Sequence, residues 1–157
     1  MPPGETSPYS ALSAMAIDPQ FVAVHPLEDF AAIGGEEGLE RELRERLDAV
    51  RMSGLVAYGD VRELKRIALR RSFGHFRDTE WRGATRRASA FRAYMEEQRW
   101  WLEDYALFRA LHARYQERAW TDWPEPLRTR QPDALDAVRR ELAPSPSSPI
   151  RMRARRR

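Results

Sequence analysis

Twelve consecutive residues constrain this chain more than any others: Trp100-Trp101-Leu102-Glu103-Asp104-Tyr105-Ala106-Leu107-Phe108-Arg109-Ala110-Leu111. Two adjacent tryptophans, a tyrosine, a phenylalanine and three leucines fall within them, uninterrupted by glycine or proline. The apolar positions Trp101, Tyr105, Phe108 and Leu111, continued by His112 and Tyr115, recur at helical spacing and not in strict alternation. A surface helix cannot hide so much aromatic area, so other segments must pack around it. The stretch predicts a core helix, with Trp100, Trp101, Asp104, Tyr105 and Phe108 in the interior and His112 partly buried beside them.

The flanking sequence supplies helices for that packing. Residues 85–98 lead into the stretch without a proline, and one helix over 84–112 would approach thirty residues. That is long for a globular helix, so a break near 97–99 is predicted. Upstream, Leu27 to Ile33 reads as a short helix stopped by Gly34-Gly35. Residues 36–50 read as a charged helix with Leu39, Leu43 and Leu47 on one stripe. After a break at 54–59, Asp60 is the expected N-cap of a helix over 61–77, with Glu63 three residues on. Asp78 or Thr79 is expected to cap a further short segment through Trp81. Residues 21–24 read as a short extended piece before Pro26. Downstream, the aromatic and proline-rich residues 119–128 form a loop expected to pack down, and residues 133–142 form the last helix before Pro144. The fold class is therefore mostly α, and charged residues at 32% suit helices with wet outer faces. Residues 1–26 read as loop and extended segment, 27–143 as a helical subdomain, and 144–157 as a disordered Pro/Ser and Arg-rich tail.

Several chemistries are disfavoured. The chain has no cysteine, so disulfides, zinc–thiolate sites and a thiol nucleophile are excluded. His25, His75 and His112 show no ligand spacing, and no metal or other cofactor is expected. There is no run of eighteen apolar residues and no basic-then-apolar leader, so neither a membrane partner nor export is expected, and the protein is read as cytoplasmic. The five arginines within residues 151–157 exceed the whole net charge of +3, leaving −2 on residues 1–150. A body of that charge does not suit nucleic acid, and the tail has no interleaved aromatics, so no nucleic-acid partner is assigned. The adjacent carboxylates Glu36-Glu37, Glu96-Glu97 and Glu103-Asp104 point about 100° apart on a helix and make poor acid/base dyads. Asp104 is read as a structural anchor for a neighbouring helix or loop. No catalytic residue is assigned. Tyr9, Trp81, Trp120 and Trp123 are the loop aromatics that could stack on a sugar face, and for the tryptophans core packing is the competing role.

Four ordered segments resemble one family. Ser7-Pro8-Tyr9-Ser10 and then Ser13-Ala14-Met15-Ala16-Ile17-Asp18-Pro19 are similar to the SPY-x-x-x-SAFAGNP loop of bacterial 4-alpha-glucanotransferases, the amylomaltases. Val56-Ala57-Tyr58-Gly59, followed by Leu64-Lys65, resembles their VDY segment. The match is closest over Trp100 to Phe108, and Trp120-x-x-Trp123-Pro124-x-Pro126-Leu127-Arg128 follows at the family's distance.

The resemblance implies that this chain is the helical insertion subdomain of a much longer (β/α)8 barrel enzyme. That enzyme transfers α-1,4-glucan segments to glucose or glucan acceptors through a covalent intermediate, with an Asp nucleophile and a Glu acid/base. No residue here matches either. Only Ser7 and Tyr9 match positions bordering the glucan groove and are the substrate-binding candidates, with Ala57 standing for the Asp of VDY and Ile17-Asp18 for Gly-Asn. The implied partner is an α-1,4-glucan or maltooligosaccharide, held weakly, and the implied chain is inactive alone. A non-catalytic carbohydrate-binding module and a helical interaction module that self-associates through exposed apolar surface remain the alternatives.

Overall fold

A computed structural model of the chain describes residues 12–142. Among these residues there are helices and turns but no strand. A 3₁₀ turn over Pro19–Phe21 is followed by α1 (Glu28–Ala32), α2 (Arg41–Met52) and α3 (Tyr58–Phe76). A π-helical turn, Arg77–Trp81, extends α3. Then come α4 (Arg86–Glu97), α5 (Arg99–Arg114), a 3₁₀ turn Trp120–Asp122, α6 (Glu125–Arg128) and α7 (Pro132–Leu142). The chain divides into two compact units, Met1–Tyr105 and Ala106–Arg157, and the division falls within α5.

In the first unit, Phe30, Leu39 and Ala68 form the buried cluster, with Leu43 and Leu47 of α2 packed against it. The glycines after α1 shape the approach to this cluster. Gly34 and Gly35 take φ of +92° and +58°, the left-handed backbone that ends a helix most easily without a Cβ. The chain then turns so tightly that a Cβ on Gly38 would lie 2.1 Å from the Ile33 carbonyl oxygen. Residues 36–39 are therefore taken up in a turn, and α2 starts five residues later than the pattern predicts. The leucine stripe survives the change, because Leu39 reaches the core from the turn itself.

Helix α3 also starts differently. It begins at Tyr58 after Ala57, which offers no capping side chain. Asp60 is not the N-cap; it sits in the first turn and accepts from Arg46 Nε at 2.9 Å, linking α2 to α3. A carboxylate there still favours the positive helix end. Glu63 pairs with Arg66, one turn on, and does not reach back to close a capping box. Beyond α3, Thr79 caps nothing: its hydroxyl donates to the His75 carbonyl at 2.8 Å inside the continuing helical turn.

One buried charge ties three helices together. Asp29 of α1 is buried and lies 2.9 Å from His75 Nδ1 of α3, and Arg87 of α4 donates to it at 2.6 Å. Burial by itself would raise this carboxyl, but the Arg87 and His75 hydrogen bonds outweigh it and hold the group below its ordinary range. A buried carboxylate is tolerated only with such partners.

The predicted break is present. Gln98 separates α4 from α5, and its side-chain oxygen accepts from the Trp101 indole N–H at 2.8 Å. Of the extended piece expected over residues 21–24, Phe21 instead closes the 3₁₀ turn, while Val22 is extended, with no strand beside it among the described residues.

In the second unit, Leu107 and Leu111 of α5 meet Trp123, Leu135 and Val138. Phe108, Tyr115 and Leu127 pack around them. Trp123 lies 5.8 Å from the Tyr115 ring and 5.6 Å from Phe108, so the Pro-rich loop does pack down at that point. Arg114 of α5 holds Glu141 of α7 at 2.7 Å. The stretch read as one central core is thus divided. Its C-terminal half organises the second unit, whereas Trp100 is 72% exposed and Asp104 is also exposed.

Candidate functional site

Ser7 and Tyr9 lie outside the described residues. What is described is how the chain that follows them is held. Ser13 Oγ accepts from the N–H groups of Met15 and Ala16, both at 3.0 Å, which closes a local turn. Asp18 then caps the first 3₁₀ turn, its carboxylate accepting from Gln20 N–H at 2.9 Å. Lys65, the one lysine of the sequence, donates to the carbonyls of Gln20 at 2.5 Å and Val22 at 3.0 Å. The three N–H donors of an ammonium suit this double grip on backbone oxygens. The segment running on from the candidate loop is thereby pinned to α3.

The loop tryptophans separate into different roles. Trp123 is buried. Trp81 is covered on one face by the Arg92 guanidinium, 4.1 Å from its ring centre, and meets Phe91 edge-on at 6.0 Å. Trp120 alone of the three is exposed. Core packing thus claims Trp123, Arg92 and Phe91 half-cover Trp81, and Trp120 is left exposed to solvent.

Trp100 is the exposed indole that the sequence reading placed in the core. It lies in a shallow depression with Glu96, Glu97, Arg99, Glu103 and Asp104. Arg99 Nε holds Glu103 at 2.8 Å, and its Nη1 stands 3.7 Å from Glu96. The signal for this exposure was in the sequence. Positions three and four residues away on either side of Trp100 are Glu96, Glu97, Glu103 and Asp104. Four carboxylates on the neighbouring turns mark a wet helix face, not an interior one. A flat apolar ring beside hydroxyl-binding carboxylates can hold a sugar face. The same exposure leaves the carboxylates without the enclosed environment that separates a general acid from a nucleophile.

An apolar hollow of about 180 Å³ lies between α2 and α3 in the first unit. Phe30, Leu39, Leu43, Leu47, Leu64 and Ala68 are among its walls. At its polar edge Arg51 holds Glu36 at 2.9 and 2.6 Å and Lys65 holds backbone carbonyls, with His25 beside them. The hollow is a packing feature of the helices and offers little to a polyhydroxylated ligand. Among the described residues no His, Asp and Glu side chains converge as metal ligands, and no helix is long and apolar enough to cross a membrane.

Comparison with known proteins follows the same lines. A family model described as 4-alpha-glucanotransferase matches residues 1–147. The chain is 34% identical to the 4-alpha-glucanotransferase of Thermus thermophilus over 137 residues, which cover 87% of this chain and 25% of that protein. It is 31% identical to the Aquifex aeolicus protein of the same name, covering 87% of this chain and 24% of that one. The Clostridium butyricum protein of that name is 23% identical over 90% of this chain and 27% of its own length. The chain thus spans about a quarter of the length of the curated relatives it matches. No solved structure gives a significant match.

Proposed function

We propose, from the fact that the chain belongs to the 4-alpha-glucanotransferase family, that it is the helical, glucan-bordering part of such an enzyme and does not transfer glycosyl groups by itself. In this reading residues 1–26 come from the face of the (β/α)8 barrel, residues 27–143 form the helical insertion, and the barrel strands carry the nucleophilic Asp and the acid/base Glu. One observation carries the reading: the match covers nearly all of this chain but only about a quarter of its relatives. The chemistry of the described carboxylates supports it. Retaining transfer needs two carboxyl groups facing one another across the bond, on rigid elements and in different environments. Here Glu103 and Asp104 are neighbours on one exposed helix face, and Asp29 is tied to Arg87 and His75.

The contribution of this part is contact with an α-1,4-glucan. Ser7 and Tyr9 are the assigned contacts, and exposed Trp100 is a further stacking platform. An open surface of this kind binds weakly, with a dissociation constant of about 1 mM or more. Titration of maltohexaose into the purified chain, followed by ligand-observed NMR, is expected to show saturable millimolar binding. Tyr9→Ala should abolish most of it, and Trp100→Ala should weaken it further. Wild-type binding absent at 20 mM ligand (roughly twenty times that constant), or binding unchanged in both variants, contradicts the glucan contact.

A further inference from the structure

In the first unit, buried side-chain atoms without a hydrogen-bond partner gather on two residues, Gln20 and Arg62. Gln20 is only 7% exposed and lies in the 3₁₀ turn that packs on α3, yet its amide Nε2 and Oε1 are both unused. On α3, the unused atoms of Arg62 are Nε and Nη2. Their N–H bonds lie side by side and form the fork that takes an oxyanion with two parallel hydrogen bonds. Lys65 stands one turn further along the same side of the helix. Its ammonium donates to the Gln20 and Val22 carbonyls, which leaves a third N–H, and no carboxylate holds it among the described residues. Arg66 and Arg70 follow Arg62 at four-residue steps. Glu63 answers Arg66, whereas partial burial and the Arg66 charge hold Arg70 below its ordinary pKa. Asp18 feels Arg62 from the turn. Burial would raise its carboxyl, but hydrogen bonds, that from the Gln20 N–H among them, and the Arg62 charge bring it below the ordinary range. Its carboxylate does not reach the Arg62 fork, which stays unpaired. A guanidinium edge and a primary amide buried in this way cost stability, and a ligand that satisfied both would offset that cost.

We propose that Arg62, Lys65 and Gln20 form a binding site for a phosphate group, either inorganic phosphate or the phosphate of a small sugar ester. A phosphate group carries close to two negative charges at neutral pH and several strong acceptor oxygens. These match the two cations, the Arg62 fork, the third N–H of Lys65 and the Gln20 Nε2 donors. Gln20 Oε1 is an acceptor and calls for a hydroxyl, which hydrogen phosphate supplies as P–OH and a sugar ester as an alcohol. A carboxylate brings one charge, two oxygens and no donor, and leaves part of the set unused. None of the three residues is among the assigned glucan contacts.

The test melts the purified full chain in potassium phosphate and in potassium chloride of equal ionic strength. At roughly ten times a dissociation constant of about 1 mM, phosphate is expected to raise the midpoint by about 4 °C over chloride. Arg62→Met removes a buried charge that has no hydrogen-bonded partner on its fork, so it should melt no lower than the wild type in chloride and lose most of the phosphate shift. Arg62→Lys keeps the charge without the fork and should also lose most of the shift, which gives a second reading if Arg62→Met does not fold. The proposal is overturned if phosphate stabilises the wild type no more than chloride does, or if the folded variants keep the full shift. Phosphorus NMR titrations of the wild type then separate the two sources. Glucose 6-phosphate bound at least threefold more tightly than inorganic phosphate makes the sugar ester the ligand, and equal affinity makes it the free anion.

Discussion

His112 lies on α5 with its imidazole 5.4 Å from the Phe108 ring, only 4% exposed. Burial lowers its pKa, and Arg109 adds to the effect. The neutral ring is therefore the form that packs. A histidine in the unfolded chain titrates near 6.5. Above that pH neither state is protonated and the packing contribution is intact. As pH falls below it, the unfolded chain binds a proton that the folded one resists, and stability declines. Melting curves at pH 7.5 and 5.5 should show a lower transition at pH 5.5, and His112→Phe should shrink the difference between the two. The variant removes a buried Nδ1 that has no hydrogen-bond partner among the described residues, so it is expected to cost little at pH 7.5. An unchanged pH difference in the variant contradicts this account of His112. Nothing in the sequence around His112 separates a buried ring from a wet one except its place one turn after Phe108, and that place was enough to predict the burial.

At the scale of elements, local pattern and close contact compete. The break at Gln98, the stop at Gly34-Gly35 and the last helix were legible, because length, glycine and proline act through the backbone of the residues that carry them. The start of α2 was not legible. Glu36 and Glu37 favour a helix and Leu39 lies on its stripe, but the approach of Gly38 to the Ile33 carbonyl turns the chain first. Gly38→Ala is accordingly expected to destabilise the first unit by about 1–3 kcal/mol, the range for forcing extra volume into a packed site. Gly54→Ala is the matched control, since an added Cβ there meets nothing within 4 Å. Urea unfolding of both variants checks the pair, and equal midpoints would remove the close contact as the reason for the late start of α2. The start of α3 was misplaced for a related reason. Asp60 has the composition of a cap, but Arg46 across on α2 supplies a stronger partner than the helix's own N–H groups.

Across the whole molecule, apolar residues were easier to find than their destinations. Periodicity located Leu111, which is buried together with Leu107, Leu135 and Val138. It also placed Trp100 inside, where the four flanking carboxylates on the neighbouring turns keep it wet. The family resemblance found the motifs but could not separate core aromatics from exposed ones, since Trp100 and Trp123 both match it and only Trp123 is buried. The same limit applies to chemistry. Glu103-Asp104 stands in the most family-like stretch of the chain, yet it lies on an open helix face with Arg99 bound to one member. Covalent glycosyl transfer requires a nucleophile and a proton donor held in a closed, pre-arranged site, and this surface provides neither. Incubation of the purified 157-residue chain with maltotriose, followed by chromatography for glucose and longer maltooligosaccharides, tests that claim most directly. The account predicts unchanged maltotriose at every enzyme concentration. Glucose and maltopentaose formed in proportion to the amount of chain would contradict it.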